Sequence, residues 1–361
     1  MRAWFSGCGK AERPVLGLVL GLVLGLALAG QAGAQDWFTP ASCAVTPEDL
    51  ASAAMAPDVA TRITAAAEKV VNARGRLWKI TTPEGRVSHL WGTFHSPDPL
   101  ILDLPPRFRA IIEDARVVAL EFDPIPADRA EAKANAATGW MWRSEGWADW
   151  SFVPPQIMGW VRVRLEAIGW GTGFIDQLTA AGLASLLLSD PCGDYLAGVL
   201  PGQDGYIAQL GYLAGAEVTG LQQWPDFGRQ LNDPARAAEA QAVIVLYASY
   251  LGPEEGDRKG RALSFRLYRE GRMAELDLWS ENWLADLHGS AEAARITARA
   301  EGYLLVERNI IFVETALPLI RDGGAVIAVG AGHLAGPTGM VQMLRAEGLQ
   351  VDRVALPGEA P

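Results

Sequence analysis

Hydrophobic spacing changes period several times along this chain, and each change marks an element. Val15 to Ala29 is a run of apolar residues and glycine with no charge. Thr46-Pro47-Glu48-Asp49 sets an N-cap, a first-turn proline and two acids at a helix start, and the pattern predicts a helix to about Asn72. Leu77 to Thr82 and Val87 to Trp91 flank Pro83-Glu84-Gly85, which predicts a hairpin. A helix is predicted over Pro105 to Asp114. A buried strand over Arg116 to Phe122 would deliver Glu121 and Asp123. From Ala127 to about Leu188 the pattern is helical and rich in tryptophan. Beyond it come a helix over Tyr206 to Ala214, a short strand over Val218 to Leu221, a helix over Pro234 to Tyr250 and a charged loop at Gly252 to Asp257. Helices then fill much of Arg261 to Leu319, with a break near Gly289-Ser290.

The last stretch has the sharpest pattern. Ala325 to Val329 reads as a buried strand and Gly330 to Gly336 as a glycine-rich turn. Pro337 is predicted to open a helix that Gly348 caps, and Leu349 to Leu356 to return as a strand. This is a βαβ-like unit. The region around Trp91 has the same order: strand, Gly-x-x-His, helix, strand. The predicted fold class is therefore α/β in the α+β sense. A central mixed sheet carries two Gly-x-x-His strand-end units in a single domain over residues 35–361, with a large helical insertion at about 127–320.

Composition adds a compartment. Arg2, Lys10 and Arg13 precede the apolar run, and Ala32-Gly33-Ala34 before Gln35 forms an A-x-A cleavage site. This is the three-part pattern of a signal peptide over residues 1–34, and it predicts a periplasmic or secreted protein. The run is shorter than the roughly 20 residues of a spanning helix, so membrane contact is expected only through an uncleaved leader. Net charge is −11 for the whole chain and −13 without the leader, which disfavours nucleic acid as a partner. Cys43 and Cys192 remain after cleavage, and in an oxidising compartment they predict one disulfide. The alternative is two buried thiols. Neither cysteine stands in a Cys-x-x-Cys pair.

The chain has four histidines. His89 lies inside a strand and His288 in a polar helical stretch, and both read as ordinary. His95 and His333 each follow a glycine by three residues at the end of an apolar strand, where α/β sheets gather ligands. A histidine so placed can be a general base or a metal ligand. With Glu121 at a third strand end, the set His95, His333 and Glu121 suits a divalent ion (Mn, Co or Zn) with an open position for water. Arg308 is a candidate to stabilise an oxyanion. Without metal, one histidine could activate water directly. Three unrelated strand-end residues are the plain alternative. Trp140, Trp142, Trp147, Trp150, Trp160 and Trp170 read as packing before they read as a ligand groove. Gly330-x-Gly332-x-x-Ala335 fits a dinucleotide fingerprint, but an exported chain and the delay imposed by Pro337 speak against it. No Gly-x-Ser-x-Gly, His-Glu-x-x-His or P-loop motif is present.

Several of these segments resemble the TraB/GumN family. Leu90-Trp91-Gly92-Thr93-Phe94-His95 with Leu104-Pro105 is similar to its opening motif, and Val118 to Asp123 to its acidic motif. Gly202-Gln203-Asp204 and Val218-Thr219-Gly220-Leu221 are similar to its middle motif, Arg308-Asn309 to an Arg-Asn pair, and Val329 to Leu334 to its closing motif. The resemblance runs from about Leu77 to Val354. It implies kinship with the Tiki metalloproteases, which use two Gly-x-x-His motifs and a glutamate with a divalent metal, and with erythromycin esterases. The implied activity is metal-dependent hydrolysis of the peptidase or esterase type, acting on a peptide or small molecule. Asp204 is implied as a substrate-binding residue. Other relatives bind a peptide pheromone or haem, so the alternative is a periplasmic protein that sequesters a peptide, haem or metal. One departure stands out: the middle motif usually ends in Glu, and here the residue is Gln222.

Overall fold

In the computed structural model of the chain, residues 45–122, 138–167, 171–188, 202–252 and 258–359 are described. Cys43, Cys192, Asp123, Trp170 and loop residues 253–257 lie outside them, so the expected disulfide does too. Contacts within the chain divide Met1–Gln35 from Asp36–Pro361, and every described residue belongs to the second unit.

Thr46 caps helix α1 (Pro47–Ser52) through a reciprocal capping box with Asp49. The single helix expected to Asn72 is instead two, α1 and α2 (Pro57–Ala67). α1 ends at Ser52, where Ala53 turns extended with ψ 126°, and Pro57 then opens α2 as its first-turn proline. The hairpin forms as expected from β1 (Leu77–Thr81) and β2 (Val87–Thr93). Short helix α3 (Pro99–Leu102), α4 (Pro106–Glu113) and strand β3 (Val117–Phe122) follow.

The remaining helices are α5 (Pro155–Ala167), α6 (Ala180–Leu187), α7 (Gln203–Leu213), α8 (Trp224–Leu231), α9 (Ala237–Ser249), α10 (Arg258–Arg269), α11 (Met273–His288), α12 (Ser290–Glu301), α13 (Arg308–Asp322) and α14 (Met340–Ala346). Strand β4 (Glu217–Gln222) follows α7, and β5 (Ala325–Gly330) and β6 (Gln350–Arg353) close the chain. The sheet order is β4-β3-β5-β2-β1-β6. Strands β4, β3, β5 and β2 are mutually parallel, while β1 runs antiparallel to both β2 and β6.

Each central strand is buried on both faces, as a parallel sheet between helices requires. Ile327 and Val329 point into one layer, with Phe312, Val313, Ala316 and Ile320 of α13 and Met340, Val341 and Leu344 of α14. Val326 and Ala328 point into the other, with Phe108 and Ile112 of α4 and Ile207 and Ala208 of α7. This alternation, period two, fixes which face of the sheet each side chain takes.

The predicted insertion resolves into two excursions, because α7 and β4 belong to the sheet layers. Helices α5, α6, α9 and α12 share a core of their own around Val161, Leu183, Val243, Ile244 and Ile296. Trp160 is buried there and Trp140, Trp142 and Trp150 pack against it, whereas Trp147 is exposed. Packing is thus the role of four of the tryptophans. Pro337 does not open α14. A one-turn 3-10 helix over Ala331–His333 comes first, and α14 begins at Met340 with Gly339 as its N-cap. Between α12 and α13 the helix continues through a π-helical segment, Gly302–Glu307, that ends where Arg308 begins. No helix among the described residues is long and apolar enough to cross a membrane.

Candidate active site

The carboxyl ends of β2, β5 and β3 lie side by side, and each carries one polar group at its tip. Strands β2 and β5 are paired with Gly92 opposite Val329 and Thr93 opposite Gly330, so the two Gly-x-x-His motifs are offset by one residue. Each glycine makes room for the other motif. A Cβ on Gly92 would stand 2.6 Å from Leu334 and 3.2 Å from the Ala331 backbone. A Cβ on Gly330 would stand 3.0 Å from both Glu121 Oε1 and His95 Nε2. Neither position tolerates a side chain without displacement, which is the physical content of both glycines.

His95 follows the end of β2, and its ring is about half exposed. Its Nδ1 donates to Asp204 Oδ2 at 2.7 Å, and Thr93 Oγ1 donates to Asp204 Oδ1 at 2.8 Å. The Asp204 carboxylate is the main reason that the His95 pKa rises to about 9. Burial opposes it and Glu121 adds to it. Asp204, implied by resemblance to bind substrate, thus spends both oxygens on protein donors. It reaches this position from the first turn of α7. Next to it, Gln203 is fully buried and accepts from Tyr268 Oη, the Phe94 N–H and Trp91 Nε1, while its Nε2 donates to the Ile101 carbonyl. That network sets the chain between β2 and α3, on which His95 rides.

His333 closes the 3-10 turn after β5 and is buried. Its Nδ1 lies 2.7 Å from Asn309 Oδ1. The Asn309 amide is oriented by its own Nδ2, which donates to the Thr338 carbonyl at 2.8 Å. Oδ1 must therefore accept, His333 must carry its proton on Nδ1, and Nε2 is left as a bare lone pair. Burial, which disfavours the imidazolium, pulls the His333 pKa down to about 4, and Arg308 and His95 work in the same direction.

Glu121 sits between the rings. Its Oε1 is 3.5 Å from His333 Nε2 and 3.7 Å from His95 Nε2, too long for direct hydrogen bonds. Oε1 accepts the Gly330 N–H at 2.6 Å, and Oε2 accepts from Arg308 Nη2 at 2.6 Å. Burial alone would raise its pKa. The Arg308 guanidinium, with the histidines and the Gly330 N–H, overrides that and holds the carboxyl well below the usual range. Arg308 itself is buried against the rings of Phe122, Phe227 and Phe312, at 4.9, 5.3 and 4.7 Å from their centroids, and its Nε donates to Gln222 Oε1 at 3.1 Å.

The structure therefore brings His95, Glu121, His333, Arg308 and Asp204 together. His89 and His288 lie elsewhere: His89 is half-buried within β2, and His288 lies 2.8 Å from Ser249 Oγ in the helical core. Within this cluster the Asp204 carboxylate favours a charged His95 ring, while burial favours a neutral His333 ring. Arg308 spends Nη2 on Glu121 and Nε on Gln222 and stacks against three rings. The spacing of the two Nε2 atoms and Oε1 approaches that of neighbouring ligands on a tetrahedral ion with arms of about 2.1 Å. Yet both Glu121 oxygens are already held by protein donors. Among the described residues no group of three His, Cys, Asp or Glu is arranged as a set of metal ligands.

Asn309 and Gln203 stand out in the sequence only through family resemblance, not through any residue pattern. The first has no apolar period or charge to mark it, and the second is a neutral amide whose four partners come from distant segments. A groove of about 440 Å³ runs beside the end of β4. It touches the cluster through Gln222, not through the histidines. The family model for the TraB/PrgY/gumN family matches residues 76–353. No curated protein and no solved structure matches the chain.

Proposed function

Because the chain belongs to the TraB/PrgY/gumN family, in which a pocket can outlast a reaction, we propose a function from the site itself: hydrolysis of a peptide or ester bond outside the cytoplasm. One observation carries this reading. Two imidazoles face the same carboxylate oxygen, at 3.5 and 3.7 Å, and each is held at Nδ1 by a different partner: a carboxylate that favours the charged ring and a carboxamide that favours the neutral one. Pairs of titratable groups pushed apart by their surroundings divide acid and base work.

A bare Nε2 and a carboxylate oxygen 3.5 Å apart are two acceptors facing one another. A water between them donates one proton to each. As the water oxygen attacks the substrate carbonyl, His333 Nε2 takes its proton, and Glu121 Oε1 holds the other and stabilises the imidazolium that forms. His95 Nε2–H, at an exposed ring edge, donates to the carbonyl oxygen as charge develops and then protonates the leaving nitrogen or oxygen. Asp204 keeps His95 charged, and Asn309 keeps the His333 proton on Nδ1. Arg308 keeps Glu121 ionised and still.

The test is turnover of a mixed peptide and ester library by the purified mature chain, once with a chelator and once with Mn²⁺, Co²⁺ or Zn²⁺. The expected kcat/KM profile is a bell. It rises with pH through about 4 as His333 loses its proton and falls through about 9 as His95 loses its own. His333→Ala and His95→Gln should each lower kcat by about 10²- to 10⁴-fold. Turnover that needs added metal and vanishes with chelator would replace this mechanism with a metal-assisted one. Tight ligand binding with no turnover of any library member would leave a sequestering protein.

A further inference from the structure

We propose that the Tyr247 hydroxyl is a further catalytic group of this site, a donor that holds the substrate carbonyl oxygen as it becomes an oxyanion. This rests on the hydrolytic reading above and deepens it. The His95 Nε2–H cannot point at the carbonyl oxygen and at the leaving atom at once. Arg308 already donates through Nη2 to Glu121 and through Nε to Gln222. Once the His95 proton turns to the leaving group, the oxygen needs a second donor.

The helical period places Tyr247. On α9, Val243 and Ile244 are fully buried in the helical core, and Tyr247 stands four and three residues beyond them on the same stripe. There the core ends. Tyr247 is half-buried on its rim, and Phe122 and Leu305 belong to the same rim. Both border the cluster. Phe122 follows Glu121 at the end of β3 and lies against the Arg308 guanidinium, and Leu305 comes within 3.7 Å of where a Cβ on Gly332 would stand, next to His333. The Tyr247 hydroxyl itself lies within electrostatic reach of Glu121 and Arg308 on one side and of Glu301 on the other.

The hydroxyl is open. Tyr268 and Tyr303, the other tyrosines packed around the site, donate to protein acceptors: Tyr268 to the Gly92 carbonyl and Gln203, Tyr303 to the Phe227 carbonyl. Tyr247 meets Tyr250 edge-on through its ring, but among the described residues its O–H has no hydrogen-bond partner and is not sealed from solvent. Burial of the ring, and then the Glu121 and Glu301 carboxylates, push the phenol up to about 12 against the pull of Arg308. It stays protonated wherever His333 is neutral and His95 charged, so it can donate throughout. In the reaction, the water oxygen bonds to the carbonyl carbon and the C=O π pair moves onto oxygen. Tyr247 donates to that oxygen and keeps its proton. When the pair returns, the bond to the leaving nitrogen or oxygen breaks, and its electrons take the proton from His95 Nε2.

The experiment uses the full mature chain, with chelator throughout, and compares the parent with Tyr247→Phe, which removes only the hydroxyl. Turnover is read on p-nitrophenyl acetate and on the peptide and ester library. Binding is read by calorimetry with methyl methylphosphonate, a tetrahedral anion shaped like the intermediate. In the variant kcat should fall about 10²- to 10³-fold with KM little changed, and phosphonate affinity about tenfold or more. The urea midpoint should not move, since the resting protein loses no hydrogen bond, and the limbs of the pH profile near 4 and 9 should stay in place. An early urea transition would show that the protein already holds the hydroxyl, and a displaced limb that it acts through a histidine. Either overturns the proposal, as does an unchanged kcat, an equal phosphonate affinity or a parent that binds no phosphonate. The two readings fail differently. Phosphonate bound by the parent and weakly by the variant, with nothing cut by either, removes the hydrolytic reading and leaves the donor. Substrate cut and phosphonate bound equally by both removes the donor alone.

Discussion

At Gly330 a single hydrogen atom separates the backbone from two reacting groups. A methyl there would meet Glu121 Oε1 and His95 Nε2 at 3.0 Å, and both are already held by short hydrogen bonds on their far sides. Gly330→Ala is therefore expected to leave the fold nearly intact, at a cost of about 1–3 kcal/mol, while displacing the acid and the carboxylate together. Displacement of that order costs about a hundredfold in rate. Measuring kcat beside a urea melt checks it; a variant that unfolds in step with its loss of activity would contradict the argument. The two glycines and two histidines can be read from the sequence because a strand-end Gly-x-x-His leaves a pattern in one local window. Their opposite charge states cannot. These depend on Asp204 and Asn309, which lie more than a hundred and some two dozen residues away from the histidines they hold.

The elements that deliver these partners are legible to different degrees. Strands β3 and β5 appear where their apolar runs end, since two-sided burial writes itself as continuous hydrophobicity. The stretch from Pro47 to Asn72 reads as one helix because its apolar spacing continues across the gap, whereas the chain turns extended at Ala53 and a second helix starts at Pro57. The start of α14 departs from its sequence pattern for the converse reason: Pro337 suits a first turn, but the chain spends 331–339 on a tight turn that Asn309 of α13 ties down through the Thr338 carbonyl. A π-helical segment ends directly before Arg308 and Asn309, and such bulges re-aim the turn that follows. Asn309 is thus a latch between α13 and the turn bearing His333. Asn309→Ala should cost about 1–3 kcal/mol, seen by urea denaturation, and should lower kcat by freeing the tautomer. In Asn309→Asp a carboxylate beside Nδ1 favours the imidazolium, so the acid limb of the activity profile should move upward from about 4. An acid limb that stays where it was would show that the latch does not set the state of His333.

For the molecule as a whole, we propose export from the signal-peptide pattern over residues 1–34, and a single mass spectrum checks it. Chain recovered from the periplasm should begin at Gln35, and with Cys43 bonded to Cys192 it should take up no alkylating reagent before reduction. A mass that retains residues 1–34, or two alkylated thiols in the unfolded unreduced chain, would count against export or against the bridge respectively. Closing so long a loop is worth about 4–5 kcal/mol in the chain-entropy account. The one-residue offset between β2 and β5 carries a different kind of consequence. The two motifs share a glycine and a histidine at the same spacing, yet one histidine stands at an open edge and the other is buried beneath its turn. Exchanging one motif for the other would keep the spacing and lose the chemistry, because the state of each histidine is set from a helix outside its motif, by Asp204 of α7 and Asn309 of α13.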